Sequence, residues 1–144
     1  MVKLFISLVL ITISVTAFSQ EGVFSNTDGV AIKGYDPVAY FTSGKAMQGK
    51  DQFSYEWSGT KWKFDSQANL DMFKADPKRY APQFGGFCAY GCSENHKSPT
   101  DPNAFTIVNN KLYLNYNLKV KEMWIKDTTT RIVSANTYWN SLKQ

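Results

Sequence analysis

Histidine occurs once in these 144 residues and cysteine twice. No nucleophile elbow, phosphate-binding loop or dinucleotide fingerprint is present. With one imidazole and none of those motifs, no standard catalytic set can be assembled, so a binding module is expected rather than an enzyme. The two cysteines are not in the C-x-x-C spacing of zinc ribbons and thioredoxins, and no histidine directly follows the second, which excludes a haem attachment motif. Lysine and arginine form no cluster, which leaves no electrostatic footprint for nucleic acid. Low-complexity tracts, like-charge runs and internal repeats are also missing, which argues against disorder. Each of three aspartates, Asp36, Asp76 and Asp101, stands before a proline. Caps and turns account for them better than paired acid and base would.

The longest apolar run, Leu4–Phe18, is about fifteen residues, short of the roughly twenty needed to span a bilayer. It follows a short basic start at Lys3, and Ala17-Phe18-Ser19 has the small-x-small form of a signal-peptidase site. Residues 1–19 are therefore expected to be a signal peptide. Residues 20–144 are expected to be one exported domain, periplasmic or extracellular, with no membrane attachment after cleavage. Removing Lys3 from 16 basic residues against 12 acidic ones leaves 15 against 12, a net charge of +3.

What is present is a packable core, with 43% hydrophobic and 15% aromatic residues. Asp36 followed by Pro37 predicts a helix start, with one or two turns over Pro37–Thr42. Phe53, Tyr55 and Trp57 alternate with polar residues, and so do Trp62 and Phe64 beyond a turn at Gly59-Thr60, so a hairpin with one buried aromatic face is expected. Ser66 caps a helix over Gln67–Ala75, and Asp76-Pro77 opens another short one ending near Tyr80. Phe105–Val108 and Lys111–Asn115 form a second hairpin across Asn109-Asn110, a pair suited to positive φ. Val120, Trp124, Ile125, Ile132, Ala135 and Trp139 fall at helical spacings, with a break near Asp127–Thr130. The fold expected is α+β: a small antiparallel sheet of two hairpins with helices packed around it.

Both cysteines and the histidine sit in Pro82–Thr100. Cys88, Cys92 and His96 are four and four apart, so a regular helix would place two sulfurs and an imidazole on one face. Those donors suit copper or zinc, with Glu94 and Asp101 as nearby oxygen donors. Besides two free buried thiols acting as small hydrophobes, three readings of the cysteines stand side by side. One is a Cys88/Cys92/His96 metal site. Another is a structural disulfide between Cys88 and Cys92, since residues four apart in a helix lie within disulfide reach. The third is a redox pair in which amides freed by Gly85-Gly86 lower the pKa of Cys88 and Cys92 resolves it.

Several ordered motifs carry a family likeness. Gly34-Tyr35-Asp36-Pro37-Val38-Ala39-Tyr40-Phe41, the aromatic hairpin from Phe53 to Ser66, Asp76-Pro77, Ala81-Pro82-Gln83 with Gly85-Gly86 and Cys88-Ala89, and Lys111–Asn115 together resemble the exported proteins of the YHS-domain family. The likeness extends over about Val23 to Trp139. It implies a treble-clef-like module of the kind found in metal-handling proteins, and a metal ion or another exported protein as partner. The cysteines of the wider group fall where this chain has Ala39 and Asp65, so that metal site does not transfer. The branch with a cysteine after Gly-Gly, here Cys88, includes candidate selenoproteins. That points to redox or soft-metal chemistry at this position.

Overall fold

The computed structural model describes residues 29–144. The expected signal peptide lies outside the described residues. Among these residues no helix is long and apolar enough to cross a membrane.

The described residues are α+β, with two separate two-stranded antiparallel sheets and six α-helices among them. After a turn at residues 32–34, with Ile32 and Gly34 buried and Lys33 exposed, comes α1, Ala39–Thr42. β1, Lys50–Trp57, pairs with β2, Thr60–Phe64. Ser58 and Gly59 make the turn at φ of 54° and 71°. The turn thus falls one residue earlier than the sequence suggests, because Thr60 is already paired with Trp57. α2, Gln67–Ala75, begins at Ser66, whose hydroxyl oxygen accepts the Asn69 amide at 3.2 Å. α3 is Pro77–Tyr80 and α4 is Ala89–Ser93. β3, Asp101–Val108, pairs with β4, Lys111–Asn115, around Asn109 and Asn110, both at positive φ. α5, Leu118–Ile125, and α6, Thr128–Leu142, follow, capped by Asn117 and Asp127.

The aromatic alternation is core. Phe73 on α2 lies 4.8 Å from Trp62, 5.1 Å from Phe64 and 5.7 Å from Trp57, ring centre to ring centre. Burying such rings is the largest apolar gain available to a small sheet. This first core also takes Leu112 and Leu114 from β4. Tyr113, between them, faces a second core with Phe84, Cys92, Trp124 and Ala135. Because successive strand residues face opposite ways, β4 is buried on both faces and joins the two halves.

Asp36 anchors the N-terminal half. It is fully buried, and its Oδ1 accepts the amides of Val38 at 2.8 Å and Ala39 at 3.2 Å. Its Oδ2 accepts the Asp65 amide at 2.8 Å and the Asn69 side-chain amide at 2.7 Å. One carboxylate thus caps its own turn and ties it to the end of β2 and the start of α2.

Candidate metal centre

The site begins at a backbone feature. Phe84, Gly85 and Gly86 all have positive φ, a left-handed turn that two glycines tolerate and that seats the Phe84 ring in the second core. The chain then reaches Cys88, whose amide donates to the Ser98 carbonyl at 3.0 Å. Cys88 is the N-cap of α4, and its Sγ accepts the Gly91 amide at 3.4 Å. On its other side the thiol donates to Asn115 Oδ1 at 3.7 Å. That oxygen also accepts the Tyr90 amide at 3.1 Å.

The helix does not carry the three expected donors on one face. It stops at Ser93, and Asn95 turns left-handed at φ 63°. The Asn95 amide donates to the Cys92 carbonyl at 3.1 Å and the His96 amide to the Gly91 carbonyl at 3.0 Å. These are the paired bonds of a Schellman stop. The turn folds His96 back across Gly91, so the imidazole lies over the missing Cβ rather than one turn further along. A Cβ at Gly91 would sit 3.2 Å from His96 Nε2 and 3.2 Å from its carbonyl oxygen.

The consequence is that Cys88 and His96 line one cleft of about 280 Å³, with Tyr90, Gly91, Ser98, Tyr116 and Val120. Cys92 is not part of that lining. It is fully buried in the second core, beneath the α4–α6 contact. Among the described residues, no three His, Cys, Asp or Glu side chains form a group that could hold a metal ion. Glu94 pairs with Arg131 at 2.7 Å, and Asp101 Oδ1 accepts the Asn103 amide at 2.9 Å. Neither lines the cleft of Cys88 and His96. Ala39 is fully buried in the fold's interior and Asp65 pairs with Lys50 at 3.2 Å, so the positions the wider group gives to cysteines hold no donor pair.

Both cysteines are free thiols. Burial raises the pKa of Cys88 in spite of the Gly91, Tyr116 and Tyr90 amides, which pull it down. Cys92 is pushed up to about 12, chiefly by burial and then by the neighbouring Cys88. The expected lowering by freed amides therefore does not appear, because desolvation of a buried thiolate outweighs them.

Two residues that the sequence reading passed over hold the site together. Asn115 is legible as the last residue of a strand and of the Lys111–Asn115 motif, with no sign there of a contact to Cys88. Arg131 on α6 lies 3.7 Å over the Tyr90 ring and donates to Tyr90 Oη at 3.0 Å and Ser93 Oγ at 2.8 Å. It pins α4 to α6. Nothing in the local sequence marks either residue, since both act across more than 20 residues of chain.

A family model described as the YHS domain matches residues 38–84, so the match ends four residues before Cys88. No curated protein and no solved structure matches the chain.

Proposed function

We propose that this chain, which matches the YHS-domain model over residues 38–84, is an exported module binding a soft transition metal, copper(I) in preference to zinc, at Cys88 and His96. A YHS domain is suggestive of metal binding in general. The observation that carries the finer reading is that a sulfur and an imidazole line the same largely apolar cleft. A thiolate and an imidazole suit copper(I), which accepts few ligands, whereas a closed zinc site takes four. The donors present fit the first and fall short of the second. Cys92, four residues along α4, is the reserve sulfur and would have to leave the second core to take part. The metal ion would supply Lewis-acid binding of a further soft ligand. The protein's part is to hold Cys88 by its caps, to fold His96 over Gly91 and to keep water from the sulfur. The redox reading of Cys88 and Cys92 has less support, because burial holds both thiols above their ordinary pKa.

The test is a copper(I) competition titration against a chromophoric chelator, on reduced mature protein. One equivalent should bind. Cys88→Ser and His96→Ala should each weaken binding at least about tenfold, the scale of one ligand's worth of free energy. Cys92→Ala should change it far less. Absence of uptake by the reduced protein would sink the proposal.

A further inference from the structure

The two hairpins have one plan. β1 and β3 are eight residues each, and β2 and β4 are five. The pairing slips once in each, between Lys50 and Ser54 and between Asp101 and Phe105. Each turn is a pair of left-handed residues, Ser58-Gly59 and Asn109-Asn110. Ser66 and Asn117 cap the helix that follows, and Asp76 and Asp127 stand at the N-cap of the next. Each of these pairs is 51 residues apart. Phe73 lies 4.8 Å from Trp62, and their counterparts Trp124 and Tyr113 are 5.2 Å apart. Upstream the step is 52: Ile32-Lys33-Gly34 and Phe84-Gly85-Gly86 are both left-handed runs. The Tyr35 amide donates to the Ile32 carbonyl and the Phe87 amide to that of Phe84, both at 3.0 Å. The Asp36 amide donates to the Met47 carbonyl at 2.8 Å and the Cys88 amide to that of Ser98 at 3.0 Å. Over residues 50–76 against 101–127 only Met72/Met123 and Asp76/Asp127 are identical. The sequence therefore shows no repeat, because turns, caps and apolar contacts are each satisfied by several residue types.

This correspondence puts Cys88 in the place of Asp36. In the first copy that place is sealed. Asp36 Oδ1 accepts the amides of Val38 and Ala39, and its Oδ2 accepts the Asp65 amide and, at 2.7 Å, the side-chain NH₂ of Asn69. The counterparts of those four residues are Tyr90, Gly91, Tyr116 and Val120, and all four line the cleft with Cys88. The Gly91 amide donates to Cys88 Sγ at 3.4 Å, as that of Ala39 does to Asp36. The Tyr90 amide finds its acceptor on Asn115 instead, at 3.1 Å. A thiol has no second arm to match Oδ2, and valine has no amide to match that of Asn69. We propose that residues 32–76 and 84–127 are two copies of one structural unit, and that the cleft is the second copy's clamp left open by the exchanges Asp36/Cys88 and Asn69/Val120. The family model, which spans residues 38–84, covers the first, sealed copy, and the opening belongs to the second. Cys88 is only 2% exposed, so Val120, half-buried on α5, controls access to its sulfur. None of this depends on the metal reading above, which stands or falls on copper(I) uptake.

The experiment is a double-mutant cycle of Cys88→Asp and Val120→Asn, read as urea midpoints. In the wild type, Val120→Asn puts an amide without its acceptor into an apolar cleft and should lower the midpoint. On the Cys88→Asp background the introduced amide meets the introduced carboxylate, as Asn69 meets Asp36, and the same substitution should raise it. That reversal of sign supports the proposal, and additive effects overturn it. If Cys88→Asp does not fold alone, a folded double variant supports the proposal and an unfolded one overturns it. Iodoacetamide labelling of the native protein, followed by mass spectrometry, tests the access through variants that keep Cys88. Val120→Ala should speed the labelling of Cys88 several-fold and Val120→Phe should slow it, with Cys92 unlabelled throughout. Rates at Cys88 that ignore residue 120 overturn its role.

Discussion

Asp36→Asn is the sharpest test of how the N-terminal half is held. The substitution is nearly isosteric. Its oxygen can keep the two bonds from Val38 and Ala39, so the cap on α1 survives. Its NH₂ must then face the Asp65 amide and the Asn69 NH₂, which now approach at 2.8 and 2.7 Å as donors. Donor faces donor, and two hydrogen bonds are lost. An unsatisfied donor costs about 1–3 kcal/mol when buried. Asp65 and Asn69 are only half-buried, so water recovers part of this. Removing a buried charge also returns some desolvation energy. The net loss should be about 2 kcal/mol. Asp36→Ala removes the cap as well, worth about 1 kcal/mol more. Asn69→Ala removes a single bond and should cost about 1 kcal/mol. Urea unfolding followed by tryptophan fluorescence reads all three from the midpoints at constant slope. An Asp36→Asn protein within about 0.5 kcal/mol of wild type, smaller than one net hydrogen bond, would refute the reasoning. So would an Asn69→Ala protein as unstable as Asp36→Ala.

Three other outcomes are expected. Gly91→Ala gains helix propensity of about 1 kcal/mol but presses on His96 at 3.2 Å, so thermal unfolding should move little while copper(I) affinity falls as far as in His96→Ala. The raised pKa of Cys92, about 12 against an ordinary 9.0, sets an alkaline limit. The folded state keeps a proton that the unfolded state releases, so stability is complete below pH 9 and is lost as pH rises towards 12; a Cys92→Ala protein measured by urea unfolding from pH 8 to 10.5 should show a shallower decline. Arg131→Ala should cost about 1–2 kcal/mol through the lost Tyr90 stacking and the hydroxyl contacts, whereas Glu94→Ala, removing a half-exposed ion pair, should cost under about 0.5 kcal/mol in the same assay.

Local chemistry was legible wherever a signal and its effect lie within a few residues. Ser66 starting α2, Pro77 opening α3, Asp36 capping its turn and Asn109-Asn110 closing a hairpin each act on amides two or three positions away, so residue type alone marked them. The buried aromatic face of β1 and β2 followed from a period of two. The candidate site was legible as ingredients, Cys88, Cys92 and His96 in one segment, but not as an arrangement. Their four-residue spacing assumes a continuing helix, and Asn95 ends that helix by adopting a left-handed conformation that asparagine tolerates without requiring. Sequence therefore determined the α+β class, the caps, the two hairpins and the segment that carries both cysteines and the histidine. Tertiary structure decided that the hairpins stay separate sheets joined through a strand buried on both faces. It also decided that Cys92 goes to the core under α6 while Cys88 and His96 meet at a cleft, and that Asn115 holds the sulfur from 27 residues away. Those outcomes depend on which surfaces bury each other across the whole chain, and no local pattern encodes that.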